Sequence, residues 1–281
     1  MNPQPYSPGK PGIFRMEAKD YHAAPGIGKH SLDLLHDFPE KLQIFRKHGM
    51  DATDAMEFST LLHTAVIEPE KLDGTYYVRP DKFKSGEKQA WDSTHTDKPS
   101  LTRAEVATLN NITRQCRTHP IVGALLEEGE AELSLFAHCP ITGLLRKGRA
   151  DWITTDADDR LTVVDFKFVM DASKHGFRRQ VEDLRYYVQH PYYVDLLELL
   201  GYPGARFLFV AVEKEPVHPK AEKHRIKVYE LHDLEVEMGR NNYIRDLIRY
   251  KDCHDRDEWP DDSEKIDTLI LSSWCRKENA V

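Results

Sequence analysis

The sequence predicts a mixed α/β fold, with one central sheet of mixed strand direction flanked by helices and a helical part in front of it. Three observations predict it. Apolar residues recur at helical spacing through most of the chain up to Glu128. Three segments of alternating or β-branched residues follow, separated by turn residues, which is the pattern of an antiparallel meander. A long helical stretch then leads into Phe207 to Val212, a wholly apolar run of the kind buried on both faces of a sheet. Strands joined through a helix of this length require helices packed on the sheet. The 281 residues are 40% hydrophobic and 31% charged, enough to bury a core and unlike a disordered or fibrous chain.

Taken in order, residues 1–20 hold Pro3, Pro5, Pro8 and Pro11 with little periodicity, and predict an irregular arm before a single domain over 21–281. His30 to His48 reads as a helix through Leu32, Leu34, Leu35, Leu42 and Phe45, broken in two by Pro39. Residues 54–68 form a helix that stops before Pro69. Tyr76 to Arg79 suits a short strand, and the polar stretch Lys84 to Pro99 a mobile loop with one helical turn. Thr102 and Glu105 make a capping box that opens a helix to Arg117, and a shorter helix covers Ile121 to Glu128. The meander is Ala131–Cys139, Leu144–Thr154 and Leu161–Phe168, with turns at Pro140–Gly143 and Asp156–Arg160. One long helix is expected from Lys174 to Leu200, ending at Gly201. Strands at Phe207–Val212 and His224–Leu231 and a helix from Asp233 to Asp252 complete the reading.

A net charge of −8, from 39 basic and 47 acidic residues, argues against a simple duplex-binding module. It is compatible with an enzyme that gathers its cations in one channel and keeps carboxylates for a metal. Cysteines at 116, 139, 253 and 275 have no CxxC spacing, so free thiols in a reducing cytoplasm are expected. No apolar run approaches the roughly 20 residues of a membrane span, and the N-terminus lacks the basic and apolar parts of a secretory signal.

The most informative residues are Asp151, Asp165 and Lys167. Asp165 and Lys167 are two apart on a strand and point to one face. Their strand is otherwise apolar, where a carboxylate and an ammonium are costly unless paired or bound to something. A hairpin turning at Asp156–Arg160 folds Asp151 back beside Asp165. Two adjacent carboxylates repel unless a divalent cation lies between them. An ordinary Asp–Lys ion pair on a strand explains the DxK spacing equally well. The helix that follows adds Tyr186, Gln189 and Tyr193 at i, i+3 and i+7, one stripe offering neutral hydrogen-bond groups or a half-buried core face.

The runs GRADWI, VVDFKF and LRYYVQHPYYVD together resemble the PD-(D/E)XK nuclease superfamily, and within it the RecE-type exonucleases (exonuclease VIII and its phage relatives). FSTLLHTAVIEPEKL resembles that family's upstream histidine helix, YHAAPGIGKHSLDLL its first helix, and DEWP its C-terminal segment, so the likeness runs over about residues 20 to 275. The resemblance implies a PD-(D/E)XK nuclease-like sheet. It implies that His63, Asp151, Asp165 and the backbone carbonyl of Phe166 hold magnesium or manganese, that Lys167 is the catalytic lysine, and that Gln189 and Tyr193 position it or the substrate. On its own, His63 in an apolar helix is as readily a core residue, and magnesium prefers oxygen ligands. Phe168 departs from the small or β-branched residue usual after the lysine.

The implied activity is hydrolysis of linear double-stranded DNA, 5′ to 3′, leaving 3′ single strands for an annealing partner in recombination. A ring-shaped homo-oligomer such as a tetramer is implied with it. An endonuclease on the same fold and a non-catalytic DNA-binding recombination protein are the alternatives. Candidate phosphate contacts are Arg149, Arg146 and Lys147 beside Asp151, Arg178 and Arg179 before the tyrosine helix, and Lys220, Lys223, Arg225 and Lys227 near the last strand. Each of these clusters also suits a solvated face.

Overall fold

The structure, a computed structural model, describes residues 1, 3–49, 53–156, 158–218, 220–261, 263, 266, 268 and 270. The prolines of the first 20 residues predict an arm, but strand β1 (Gly12–Arg15) lies within it and pairs antiparallel with residues 133–136. Its partner is more than a hundred residues away and its four residues are too few to show a period, so no local pattern marks it. Helices α1 (Ala18–Ala23), α2 (Lys29–Asp37) and α3 (Pro39–His48) follow. Pro39 breaks the last two as its ring requires, sitting at the first turn of α3 after an extended Phe38. Helix α4 (Asp54–Ile67) is capped by Thr53, whose side chain accepts from Met56 N–H.

Strands β2 (Tyr77–Val78) and β3 (Ser100–Leu101) pair in parallel. Between them α5 (Glu87–Thr94) replaces the single turn expected there. Trp91 stacks on His95, 3.7 Å between centroids, and its Nε1 donates to Ser100, which ties this otherwise exposed helix down. Helix α6 (Arg103–Thr118) starts at the Thr102–Glu105 capping box, and the short α7 (Pro120–Leu125) follows. The meander is β4 (Glu130–His138), β5 (Leu145–Thr155) and β6 (Leu161–Val169).

The single helix predicted over Lys174–Leu200 is two helices, α8 (Lys174–Asp183) and α9 (Tyr186–Leu199). Arg185 between them is left-handed, at φ 53° and ψ 37°. Its guanidinium holds it there by donating to Asp246 at 2.5 Å and Asp33 at 3.2 Å. Neither contact is visible in local sequence. Strands β7 (Arg206–Glu213) and β8 (Ile226–Tyr229) and the helix α10 (Asp233–Arg256) end the fold.

The sheet runs β1-β4-β5-β6-β7-β8. Only β6 and β7 are parallel, joined through α8 and α9. One face packs Leu32, Leu35, Val188, Leu196, Phe207, Phe209 and Leu247 from α2, α9, α10 and the strands. The other packs Leu62, Val66, Leu109, Ile112, Phe166 and Val210 from α4, α6 and the strands. The alternation of Phe207 and Phe209 against Val210 and Val212 across the two faces is the strand period of two expected for a strand covered on both sides. Cys116, Cys139 and Cys253 are free and buried, and Cys275 lies outside the described residues. Among the described residues no helix is long and apolar enough to cross a membrane.

Candidate active site

The site is a gap in the sheet. The β5–β6 pairing runs from Thr155 opposite Leu161 to Trp152 opposite Val164 and stops there. The next pair in that register would be Asp151 and Asp165. On the far side of the gap β5 is bridged by Ile27, which donates to Leu145 O at 2.8 Å and accepts from Lys147 N at 2.9 Å. Backbone groups left open between these two pairings need partners. Tyr193 supplies them, its hydroxyl accepting from Arg149 N at 3.2 Å and donating to Arg149 O at 2.9 Å. Its ring lies 3.1 Å from where a Cβ on Gly148 would stand, so the glycine of GRADWI is there to admit the ring. Asp151 fills the other side of the gap, its Oδ2 accepting from Phe166 N at 2.8 Å.

The gap lets both faces of the sheet reach one point. From α4, His63 Nδ1 lies 3.4 Å from Asp151 Oδ2, and Phe168 packs edge-on against the imidazole at 5.0 Å. The bulky residue after the lysine therefore fixes the histidine ring. From α9, Gln189 Nε2 donates to Asp165 Oδ1 in a short hydrogen bond. Lys167 Nζ lies 2.6 Å from Asp165 Oδ2. The ammonium thus faces that oxygen at ion-pair distance, on a residue only 3% exposed.

The two acids respond differently to burial. Burial pushes the Asp165 carboxyl up to about 6, with the Asp151 charge adding to it and the Lys167 ammonium opposing it. For Asp151 burial also acts upward, but His63, Lys167 and the Phe166 N–H together bring it below the ordinary carboxylate range. For His63 and Lys167 burial acts downward, and the two carboxylates overcome it, so both lie above their usual values.

The sequence-predicted group His63, Asp151, Asp165, Phe166, Lys167, Gln189 and Tyr193 is thus brought together. Among the described residues no three His, Cys, Asp or Glu side chains already stand as a ligand cluster. What does fit a cation is the chemistry of the donor set: two carboxylates meet in the gap, with the His63 imidazole beside one of them.

The phosphate contacts expected on β5 need correction. Arg146 is 1% exposed, donates to Tyr192 O at 2.7 Å and is sandwiched by the rings of Tyr192 and Tyr243 at 4.4 and 4.6 Å. It is an interior cation–π residue. Lys147 Nζ donates to the carbonyls of Tyr21, His22 and Ala24, closing the end of α1. Arg149 is half-buried against Glu132, with which it pairs, and Met16 O, to which it donates. Arg178 and Arg179 are exposed on α8, as are Lys220, Lys223, Arg225 and Lys227 around β8. Arg225 lies 3.6 and 3.4 Å from Asp171 and Glu213.

One feature at the site went unread in the sequence. Glu132 sits in the β4–β5 register where Asp151 would face it, with a left-handed φ of 54° that interrupts the pairing. Only the strand's irregular start hints at it. Tyr186, visible in sequence as part of the α9 stripe, places its ring 4.6 Å from Lys167 Nζ.

Over residues 37–272 the sequence matches the model of the "PDDEXK-like domain of unknown function (DUF3799)". The chain belongs to this PDDEXK-like family. The PDDEXK-like domain lies within the PD-(D/E)XK superfamily, and membership supports a hydrolytic nuclease; such nucleases generally work with a divalent metal ion. The crystal structure of a "Putative exonuclease" from Eubacterium rectale shares the fold, with a TM-score of 0.59 and 13% identity over 95% of this chain and 99% of that one. The crystal structure of SSO0001 gives a TM-score of 0.28 and 14% identity over 66% of this chain and 85% of that one, too low to carry an argument. A comparison with curated proteins finds no match.

Proposed function

We propose that this PDDEXK-like protein is a metal-dependent exodeoxyribonuclease of the RecE (exonuclease VIII) type. It would hydrolyse linear double-stranded DNA from 5′ to 3′ and leave 3′ single strands for an annealing protein in recombination. The observation that supports this reading best is the meeting of Asp151 and Asp165 where the β5–β6 pairing opens, with the Lys167 ammonium 2.6 Å from Asp165 Oδ2.

Asp151, Asp165, His63 and the Phe166 carbonyl would hold the divalent ion, magnesium or manganese. When bound, such an ion supplies charge neutralisation at the phosphate and a more acidic water. The chain's own residues do the rest. Gln189 fixes the Asp165 carboxylate by donating to it. Phe166 N–H fixes that of Asp151. Lys167 offers an ammonium that stabilises negative charge building on a phosphoryl oxygen. Tyr193 keeps the strands apart so that a phosphate can approach. The exposed Arg178 and Arg179 suit backbone phosphates, and in a closed homo-oligomeric ring such groups would line a channel despite a net charge of −8.

The test is digestion of a linear duplex carrying different labels at the 5′ and 3′ ends, in magnesium or with chelator. The 5′ label should leave first, chelator should stop release, and Asp165→Ala and Lys167→Ala should abolish it. Release at the wild-type rate by either variant sinks the proposal. A covalently closed circle should survive, and nicking of it would instead assign an endonuclease.

A further inference from the structure

We propose that Tyr186 is a positioning residue for the lysine: its ring is the platform that fixes the Lys167 ammonium, and partly buried ion pairs around Arg185 hold that platform in place. The task given to Lys167 rests on the nuclease reading above.

A lysine carries its charge on a flexible four-carbon stem, so one contact does not define where the ammonium stands. Lys167 Nζ has two. Asp165 Oδ2 lies at 2.6 Å and the centroid of the Tyr186 ring at 4.6 Å. The electron-rich face of an aromatic ring attracts a cation without taking a proton from it. The two contacts come from different elements, β6 and α9, and together they fix a direction as well as a distance.

A platform must itself be rigid. The Tyr186 ring lies nearly parallel to that of Phe209, 6.1 Å away at 24°, and beside that of Phe177 at 6.3 Å. Lys29 Nζ lies 5.8 Å from the same ring, held by Asp33 at 2.7 Å and by the Leu184 carbonyl at 3.0 Å. The ring is thus flanked by two ammonium groups.

The break between α8 and α9 sets where the ring starts. Tyr186 is the first residue of α9 because Arg185 before it is left-handed, a conformation a non-glycine residue keeps only when its surroundings enforce it. The enforcing contacts are partly buried. Arg185 donates to Asp246, itself 1% exposed, at 2.5 Å, and to Asp33 at 3.2 Å. Asp246 is also 3.1 Å from His36. Asp33 therefore serves both Arg185 and Lys29, and α2, α9 and α10 close on one knot whose outlet is the Tyr186 ring.

Two measurements test this. In hydrolysis of a linear duplex with magnesium, Tyr186→Leu should lower kcat about tenfold, the scale of one desolvated cation–π contact. KM and melting temperature should stay close to wild type, and Tyr186→Phe, which keeps the ring face, should restore kcat to within about twofold of wild type. In 13C-lysine NMR, the Lys167 ε-methylene, assigned through Lys167→Arg, should stand upfield from ring current in the wild type and in Tyr186→Phe. It should return to the ordinary lysine position in Tyr186→Leu. A wild-type kcat in Tyr186→Leu, an equal loss in Tyr186→Phe, or an unshifted methylene in the wild type overturns the proposal. A wild type that releases no nucleotide refutes the nuclease reading, and the NMR result still decides the platform.

Discussion

Asp165 shows at one residue how function and stability pull apart. Its carboxyl is raised to about 6 from an ordinary 3.8, first by burial and then by the Asp151 charge. The folded state thus binds this proton more tightly than the unfolded chain, so the residue costs stability once pH rises through about 6. Asp165→Asn removes that cost. In metal-free protein at pH about 8 it should melt at a higher temperature than wild type and be inactive. A divalent ion should raise the melting temperature of the wild type by mass action and leave Asp165→Asn where it was. Equal shifts in both would refute the proposed role of Asp165 as a cation ligand. His190, next to Gln189, has the opposite sign. It stacks on Phe207 at 5.2 Å, its Nδ1 has no hydrogen bond, and burial lowers it from 6.5 to about 4. The unfolded chain takes up the proton first, so stability is full above 6.5 and falls as pH drops towards 4, by about 3 kcal/mol in all. His190→Leu should flatten that fall, read as urea midpoints at pH about 7 and about 4.5. A wild-type slope in the variant would place the acid sensitivity elsewhere.

At the scale of elements, the unit that matters is the opening between β5 and β6, propped by one helix of the opposite layer. Gly148 and Tyr193 make it possible together. A methyl at 148 would stand 3.1 Å from the Tyr193 ring and from Leu196. Gly148→Ala should therefore push the tyrosine off the Arg149 backbone while the rest of α9 stays packed. Stability should fall by about 1–3 kcal/mol, as for other overpacked sites. Activity should fall roughly a hundredfold, because the groups proposed to act on the phosphate shift by a fraction of an ångström to an ångström. Unchanged nucleotide release in this variant would show that the prop is dispensable. That residue 151 comes opposite 165 was legible in sequence, since a turn at Asp156–Arg160 dictates it by arithmetic alone, but the opening there was not, because the pattern reads as a continuous meander. The DxK spacing and the Gln189–Tyr193 stripe were legible for the same reason, because strand and helix periods fix which side chains meet. The break at Arg185 was not. Arginine is a good helix former, and only Asp33 and Asp246, far off in sequence, hold it left-handed. The loss of Arg146 and Lys147 as phosphate contacts was hidden likewise, since both are claimed by groups that only the tertiary fold brings near.

On the scale of the whole molecule, residues 12–16 belong to the sheet and to the site. Strand β1 closes the edge of β4 and buries side chains on both faces, Ile13 in the main core and Phe14 against Phe136 and Tyr21. Just past it, the Met16 carbonyl receives Arg149, whose strand carries Asp151 two residues on. Removing residues 1–17 would expose two large apolar side chains' worth of contact, about 4 kcal/mol at roughly 2 kcal/mol each. It would also bare a strand edge, which invites pairing between molecules. The truncated protein should therefore unfold at a lower urea concentration and scatter light at concentrations where the full chain stays clear. Its nucleotide release should fall even well below its melting temperature, because Arg149 loses its carbonyl partner beside the acid. An unchanged urea midpoint would return these residues to the role of an arm that the prolines suggest. A lowered midpoint with full activity would confine them to the sheet and free Arg149 to act on substrate without them.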